Sequence, residues 1–86
     1  GVVLECVTTE LASKITKEIK IPTIGIGSSV NCDGQILVSD DIFGLTKSKT
    51  KFAKEYTDLK KYINLAVKKF KKDVLNKRYP NKKYSY

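Results

Sequence analysis

The first seven residues, Gly1–Val7, constrain the fold of this chain most, because they form an apolar run rich in β-branched side chains. The run is too short for a globular helix and is typical of a strand buried on both faces of a parallel sheet. Such a strand needs neighbouring strands and a covering of helices. The sequence therefore predicts an α/β protein, and it predicts that these 86 residues are a piece of a larger domain.

Glu5 is the only acidic or basic side chain in this run, and it stands near the downstream end. In parallel α/β folds the loops at the carboxyl ends of the strands form the crevice in which active sites lie. A carboxylate half in an apolar wall and half in that crevice is suited to act as a general base. The alternative is a structural role, in which Glu5 caps the next helix or pairs with a lysine.

A helix and a second strand follow. Leu11, Ile15 and Ile19 recur every four residues after Thr8, a plausible N-cap, which predicts an amphipathic helix that ends before Pro22. Residues 23–27 are again short and β-rich, so the order strand, helix, strand predicts a parallel βαβ unit. The glycines of this second strand do not complete a dinucleotide fingerprint, and no cofactor-binding residue is assigned.

Residues 35–43 permit two interpretations. Ile36-Leu37-Val38 is compatible with a strand, but the return of Ile42 and Phe43 fits a short helix. The spacing favours the helix, with Asp33 as its N-cap.

Residues 52–74 carry apolar side chains every three or four positions, which predicts one long helix of about six turns. Phe52, Tyr56 and Phe70 share its apolar stripe and are predicted to belong to the core. Arg78-Tyr79-Pro80 is predicted to end the helix.

Charge is divided unevenly along the chain. Residues 1–46 carry three Lys against six acidic residues, net −3, whereas residues 47–86 carry fourteen Lys or Arg against three acidic residues, net +11. Such a segment can bind nucleic acid. Its only Arg is Arg78, however, and readers of bases and phosphates favour the bidentate guanidinium. A solvated Lys-rich helix face is the preferred interpretation, and a nucleic-acid module of residues 47–86 is the alternative.

Cys6 and Cys32 have no CxxC spacing, and the chain contains no His. This excludes the usual zinc patterns and favours reduced thiols in a cytoplasmic protein. No apolar run approaches the length of a membrane span, so no membrane partner is expected.

Several segments resemble one family in order and spacing, the ketopantoate hydroxymethyltransferases. The segments that carry the resemblance are Leu4-Glu5-Cys6-Val7, Glu10-Leu11-Ala12, Ile21-Pro22-Thr23-Ile24-Gly25-Ile26-Gly27, Asp33-Gly34-Gln35-Ile36-Leu37-Val38, Lys51-Phe52-Ala53 and Tyr79-Pro80. The resemblance covers essentially the whole chain. It implies that residues 1–86 are the C-terminal βαβα portion of a single (βα)₈ TIM barrel, comprising its last two strands and the helices after them.

The resemblance also implies an activity. The family transfers a hydroxymethyl group from 5,10-methylenetetrahydrofolate to 3-methyl-2-oxobutanoate, giving ketopantoate for pantothenate and coenzyme A synthesis. Mg²⁺ assists formation of the enolate, and the glutamate that removes the proton corresponds to Glu5. The metal ligands of the family lie in earlier strands, so no metal site is assigned in this chain and the piece alone is expected to be inactive. The implied partners are the keto acid, the folate, the rest of the barrel and further copies in a homo-oligomer.

Four positions depart from the family pattern. Ser28-Ser29 stands where the family has Ala-Gly, and Asp40 and Tyr84 stand where it has histidines. We expect these departures to affect the loops at the strand ends.

Overall fold

Three short parallel strands form the centre of the molecule. The computed structural model describes all 86 residues, and the strands lie side by side in chain order. The elements are β1 (Val2–Glu5), α1 (Thr9–Glu18), β2 (Thr23–Ile26), β3 (Gly34–Gln35), α2 (Ser39–Ile42) and α3 (Leu59–Leu75). The predicted α/β class and the parallel pairing of the first two strands are confirmed.

One face of β1 packs on α1. The strand pairs with β2 in a register that runs from Val2 opposite Thr23 to Glu5 opposite Ile26. Because side chains alternate along a strand, Val2 and Leu4 share a face. Leu4 packs with the fully buried Ala12 of α1, and the two form the core of the chain together with Cys32.

The opposite face of β1 is open to solvent. Val3 is 55% exposed, and Glu5, which shares its face, is exposed as well. The prediction of a strand buried on both faces is therefore wrong for these 86 residues, which supply cover to one face only. A parallel strand with an uncovered apolar face is the pattern expected of an incomplete sheet.

Helix α1 begins and ends where its sequence signals predict. The hydroxyl of Thr8 accepts a hydrogen bond from the backbone N–H of Leu11, which makes Thr8 the N-cap. The last helical residue is Glu18 and Ile19 is the C-cap, so the helix ends before Pro22, as predicted.

The predicted helix over residues 35–43, with Asp33 as its cap, is wrong. Gly34 and Gln35 instead pair with Ile24 and Gly25 as β3, so the chain has three strands rather than two. Helix α2 is restricted to Ser39–Ile42, and Val38 at its N-cap provides no side-chain bond. The carboxylate of Asp33 is not free to cap, because it accepts hydrogen bonds from the backbone N–H and the hydroxyl of Thr23.

The long helix is shorter than predicted and begins later. Asp58 is the N-cap of α3, since its carboxylate accepts from the N–H of Lys61. Phe52 and Tyr56 precede the helix rather than lying on its stripe, and Tyr56 is 67% exposed. The helix ends at Leu75, before Arg78-Tyr79-Pro80, where Lys77 adopts the left-handed conformation.

The apolar stripe of α3 is not buried within this chain. No residue of the helix is buried, and Phe70 is 55% exposed, so the predicted core position of Phe70 is not found here. The tail contacts the end of the helix through Tyr79, whose ring meets Phe70 edge to face at 5.4 Å. None of the three helices is long and apolar enough to cross a membrane.

The molecule is elongated. Its principal extents are 66 × 27 × 13 Å, and its radius of gyration is 21.5 Å. A compact chain of this length would have a radius of gyration of about 12 Å. The excess reflects α3, which extends away from the sheet.

Candidate active site

The candidate site lies where β1 and β2 end. Glu5 and Ile26 are register partners and the last residues of their strands. The residues that follow, Cys6 and Gly27, both have left-handed backbones, with φ of 55° and 62°. Both strands therefore stop at the same level. A left-handed residue other than glycine is strained by about 1 kcal/mol or more, and such strain concentrates at functional sites.

Glu5 has neither of the structural roles proposed as alternatives. Thr8, not Glu5, caps α1. The two salt bridges of the chain join Lys14 with Glu18 and Arg78 with Asp73, so Glu5 pairs with no lysine. The side chain is exposed rather than half-buried. Residues 1–86 thus present a free carboxylate at the carboxyl end of a parallel strand.

Ser28 joins the two strand ends to α1. Its side chain is only 6% exposed, and its hydroxyl donates to the backbone carbonyl of Leu4, the residue before Glu5. The hydroxyl of Thr9, at the start of α1, donates to the carbonyl of Ser28 at 2.9 Å. This serine is one of the departures from the family pattern, and it is fully integrated into the site.

Ser29 makes a separate set of contacts. Its hydroxyl lies 2.8 Å from that of Ser13 in α1 and accepts from the N–H of Asn31 at 3.1 Å. The side-chain amide of Gln35 donates to the carbonyl of Ser29 at 2.7 Å. These bonds hold the loop after β2 against α1 and β3, so the second departure is also satisfied by polar partners.

A further polar group lies at the opposite ends of the strands. Thr23, which begins β2, is completely buried, and its hydroxyl lies 2.8 Å from that of Thr16 in α1. Hydrogen bonds from the backbone and the hydroxyl of Thr23 lower the pKa of Asp33 below its ordinary value of 3.8. Thr23 begins β2, so this group lies at the end of the sheet opposite to Glu5. Its hydrogen bonds stabilise the sheet.

Phe52 lies between two clefts beside the ends of β1 and β2. A Cβ atom on Gly27 would lie 2.0 Å from the Cβ atom of Phe52, so the two residues are in direct contact. On one side is an open cleft of about 440 Å³, and on the other a more apolar cleft of about 600 Å³. The first is lined by Val7, Thr8, Thr9, Gly27, Lys51 and Phe52. Glu5 lines neither cleft.

Sequence patterns missed the contribution of Lys51 and Phe52 to this region, because helical periodicity assigned residue 52 to the long helix. The Lys51-Phe52-Ala53 segment of the family resemblance was the signal that could have placed them near the site. Among the apolar residues of the second cleft are Ile36, Leu37 and Ile42, which the sequence left divided between strand and helix.

The residues of this chain do not form a metal centre. No group of three or more His, Cys, Asp or Glu side chains lies close enough to hold a metal ion. Asp41 is buried and accepts from the hydroxyl of Thr46, while Cys6 and Cys32 are free thiols, exposed and buried respectively. The Mg²⁺ implied by the resemblance therefore does not fit the donors present here.

Comparisons with known proteins agree with one another. The family model described as ketopantoate hydroxymethyltransferase matches residues 1–82. The chain is 58% identical over 86 residues to the 3-methyl-2-oxobutanoate hydroxymethyltransferase of Pelagibacter ubique, a match that covers 100% of this chain and 34% of that protein.

Two further relatives give the same result. The proteins of the same name from Helicobacter pylori and Carboxydothermus hydrogenoformans are 52% and 48% identical, over 98% and 100% of this chain and 32% of each relative. The chain thus spans about a third of the length of the curated relatives it matches. Since the family model matches all but its last four residues, the chain belongs to the ketopantoate hydroxymethyltransferase family.

Proposed function

We propose that the complete protein containing this chain transfers a hydroxymethyl group to 3-methyl-2-oxobutanoate, giving ketopantoate, with Glu5 as the general base. The observation that carries the proposal is the free Glu5 carboxylate at the carboxyl end of β1, which neither caps a helix nor pairs with a lysine. Relatives at 48–58% identity are named for this activity.

The position of Glu5 suits a (βα)₈ barrel, of which the chain would form the carboxyl-terminal part. Helices surround the strands of such a barrel, and its active site lies at the carboxyl ends of the strands. Leu4 packs on α1, so the alternation of side chains directs Glu5 away from the helix layer. In a closed barrel that direction is inward, and the other strands would supply the wall that Glu5 lacks in this chain.

The chemistry assigned to Glu5 is a proton transfer. Its carboxylate removes the proton from the carbon next to the keto group, and the electron pair of that C–H bond passes into an enolate. The nucleophilic carbon then forms a bond to the methylene carbon of the proposed donor, 5,10-methylenetetrahydrofolate, and the hydroxyl of a water molecule adds to that same carbon. Both C–N bonds between this carbon and the folate break, and the two nitrogens take up the proton removed by Glu5 and the remaining proton of the water, so that tetrahydrofolate leaves. A positioned base of this kind contributes about 10²–10⁴-fold to rate.

The remaining parts of the site would come from outside this chain. We propose that Mg²⁺ is used and that its ligands lie in the other two thirds of the protein, because the donors in residues 1–86 do not form a set for it. The same residues would complete the barrel, and the complete protein would assemble as a homo-oligomer.

The test is Glu5→Gln in the complete protein. We expect exchange of the substrate proton with solvent deuterium, followed by NMR without folate, to fall by about 10²-fold or more. Binding of the keto acid, measured by calorimetry, should persist. Glu10→Gln, an exposed glutamate in the first turn of α1, is the matched control and should exchange normally. Near-normal exchange in Glu5→Gln would reject the assignment.

A second candidate is nucleic-acid binding by residues 47–86. It is favoured by one observation, that the lysines of α3 are all exposed. Electrostatic binding of this kind weakens steeply as salt rises. Titration of labelled duplex DNA and RNA at two salt concentrations tests it, and absent or salt-independent binding would dispose of it.

A further inference from the structure

We propose that Ser28 is a positioning residue, which acts on Glu5 through the backbone of β1. The inference rests on the proposed role of Glu5 as the base. Nothing in the side-chain contacts of Glu5 fixes its carboxylate, because the residue has no cap and no ion pair within the chain. Within residues 1–86 its location is therefore set by the backbone that carries it.

That backbone is held by the hydroxyl of Ser28. The hydroxyl donates to the carbonyl of Leu4, so the peptide group that enters Glu5 is tied to the loop after β2. Immediately after Glu5 the chain turns through the left-handed Cys6. A strained turn persists only when its surroundings hold it, and the bond from Ser28 is a direct restraint on the residues that lead into it.

Ser28 is itself fixed from two further directions. Thr9, at the start of α1, donates to its carbonyl, and the preceding residue is Gly27, whose left-handed backbone packs against Phe52. The side chain is only 6% exposed, and the one other acceptor that its hydroxyl reaches is the carbonyl of Ile26, at the longer distance of 3.5 Å. The loop after β2, helix α1 and strand β1 thus meet at Ser28, the helix through its backbone carbonyl and the strand through its hydroxyl.

The neighbouring serine provides an internal comparison. Ser29 is equally buried, at 5% exposed, and its hydroxyl is also hydrogen-bonded. Its partners are Ser13 and the N–H of Asn31, and none of them belongs to β1. A general loss of loop stability would follow from removing either hydroxyl, whereas displacement of Glu5 would follow only from removing that of Ser28.

The experiment compares Ser28→Ala with Ser29→Ala in the complete protein. The measurement is the steady-state rate of deuterium exchange into 3-methyl-2-oxobutanoate without folate, over a range of substrate concentrations. Ser28→Ala restores the alanine of the family pattern, but in this chain the hydroxyl holds the carbonyl of Leu4. We therefore expect the variant to lower kcat for exchange on the order of 10-fold, because a small misplacement of a reacting group is costly, with KM changed by less than about 2-fold. Ser29→Ala should keep both constants near those of the parent, while its Tm falls as much as that of Ser28→Ala.

The double variant Glu5→Gln/Ser28→Ala separates this inference from the proposed function. If Ser28 acts through Glu5, its loss should not lower further the residual exchange of Glu5→Gln. Normal exchange in Glu5→Gln would overturn both proposals. Abolished exchange in Glu5→Gln with normal exchange in Ser28→Ala would overturn the positioning role alone, as would equal kcat losses in the two serine variants.

Should Ser28→Ala fail to fold, Ser28→Cys keeps a side chain of similar size with a weak S–H donor. A kcat between those of the parent and Glu5→Gln, at unchanged KM, is the expected result. A parental kcat would overturn the role.

Discussion

Two regions of this chain differ in how far their side chains are buried. The β–α body, residues 2–35, contains most of the buried residues and a continuous set of hydrogen bonds between α1, the strands and their loops. The α3 arm, residues 59–86, contains no buried residue, although its helix carries an apolar stripe. Both regions are regular in secondary structure, but only the body finds its partners within the chain.

The difference shows that the periodicity of apolar residues identifies the apolar face of a helix but not the partner that covers this face. Helix α1 and α3 are both amphipathic, yet Ala12 of α1 is fully buried while Ile63 of α3 is 47% exposed. The arm is also strongly basic, with ten Lys or Arg against one acidic residue. Its charged face is suited to solvent, and its apolar stripe requires an apolar partner.

The largest expected effect is in the body, at Gly27, which contacts Phe52 in the segment that leads to the arm. Ala at this position would adopt a left-handed backbone and place its Cβ atom 2.0 Å from that of Phe52. We expect Gly27→Ala to lower the free energy of unfolding of the complete protein by about 2–4 kcal/mol, measured by denaturant titration. Gly34→Ala is the control, because its Cβ would meet only the terminal methyl of Ile24, at 3.0 Å. Equal effects of the two changes would contradict this account of the contact between Gly27 and Phe52.

A smaller effect tests whether the arm is covered in the complete protein. Val67 is 59% exposed in this chain and lies on the apolar stripe. If the complete assembly buries it, Val67→Ser should cost about 1–3 kcal/mol of stability and reduce the particle mass measured by light scattering. Lys68→Ser, on the opposite face of the same helix, should change neither quantity. An unaffected Val67→Ser variant would show that the stripe stays exposed.

The next prediction concerns the acid response of the body. The pKa of Asp33 is lowered by the hydrogen bonds from Thr23, so its contribution to stability is present above its ordinary pKa of 3.8. That contribution is lost as the pH falls from there through the lower folded-state pKa. We expect Asp33→Asn to flatten the loss of stability below about pH 4, measured as Tm in acid buffers. Identical acid profiles of the variant and the parent would contradict this.

The smallest effect is expected within the arm. Arg78 contacts Asp73 at 3.0 Å, but both side chains are about half exposed, at 56% and 49%. Solvent screens such a pair, so Asp73→Asn should cost about 0.2–1 kcal/mol. Glu18→Gln, which removes a 3.9 Å contact with Lys14 on α1, should cost less still. A loss above 2 kcal/mol at Asp73 would mean that the arm is more tightly packed than its exposure indicates.

Sequence reasoning succeeded where the determinants are local. Thr8 caps α1, as predicted, because the cap lies three residues from its partner. The apolar run Gly1–Val7 contains the strand, which is shorter than the run and ends at Glu5. The location of Glu5 is thus confirmed, while its role as a base stays a prediction.

It failed where a residue's partner is distant in the chain. Asp33 is a residue type that often caps helices, but its carboxylate accepts a hydrogen bond from Thr23, ten residues upstream. Phe52 has the spacing of a helix stripe but packs on Gly27. The bond from Ser28 to Leu4 spans 24 residues and has no periodic signature. Contacts of this kind depend on the tertiary arrangement, which a single pattern does not encode.

The register of β1 has a consequence for how this sequence can change over evolutionary time. The strand is only four residues long, and Leu4 and Glu5 face opposite sides of it. Deleting or inserting one residue between Val2 and Glu5 would exchange those sides, turning the carboxylate toward Ala12 and the leucine toward solvent. Selection should therefore remove insertions and deletions of one residue from this strand. The segment between α2 and α3, by contrast, has no alternation of side chains to preserve and can tolerate a change in length of one residue.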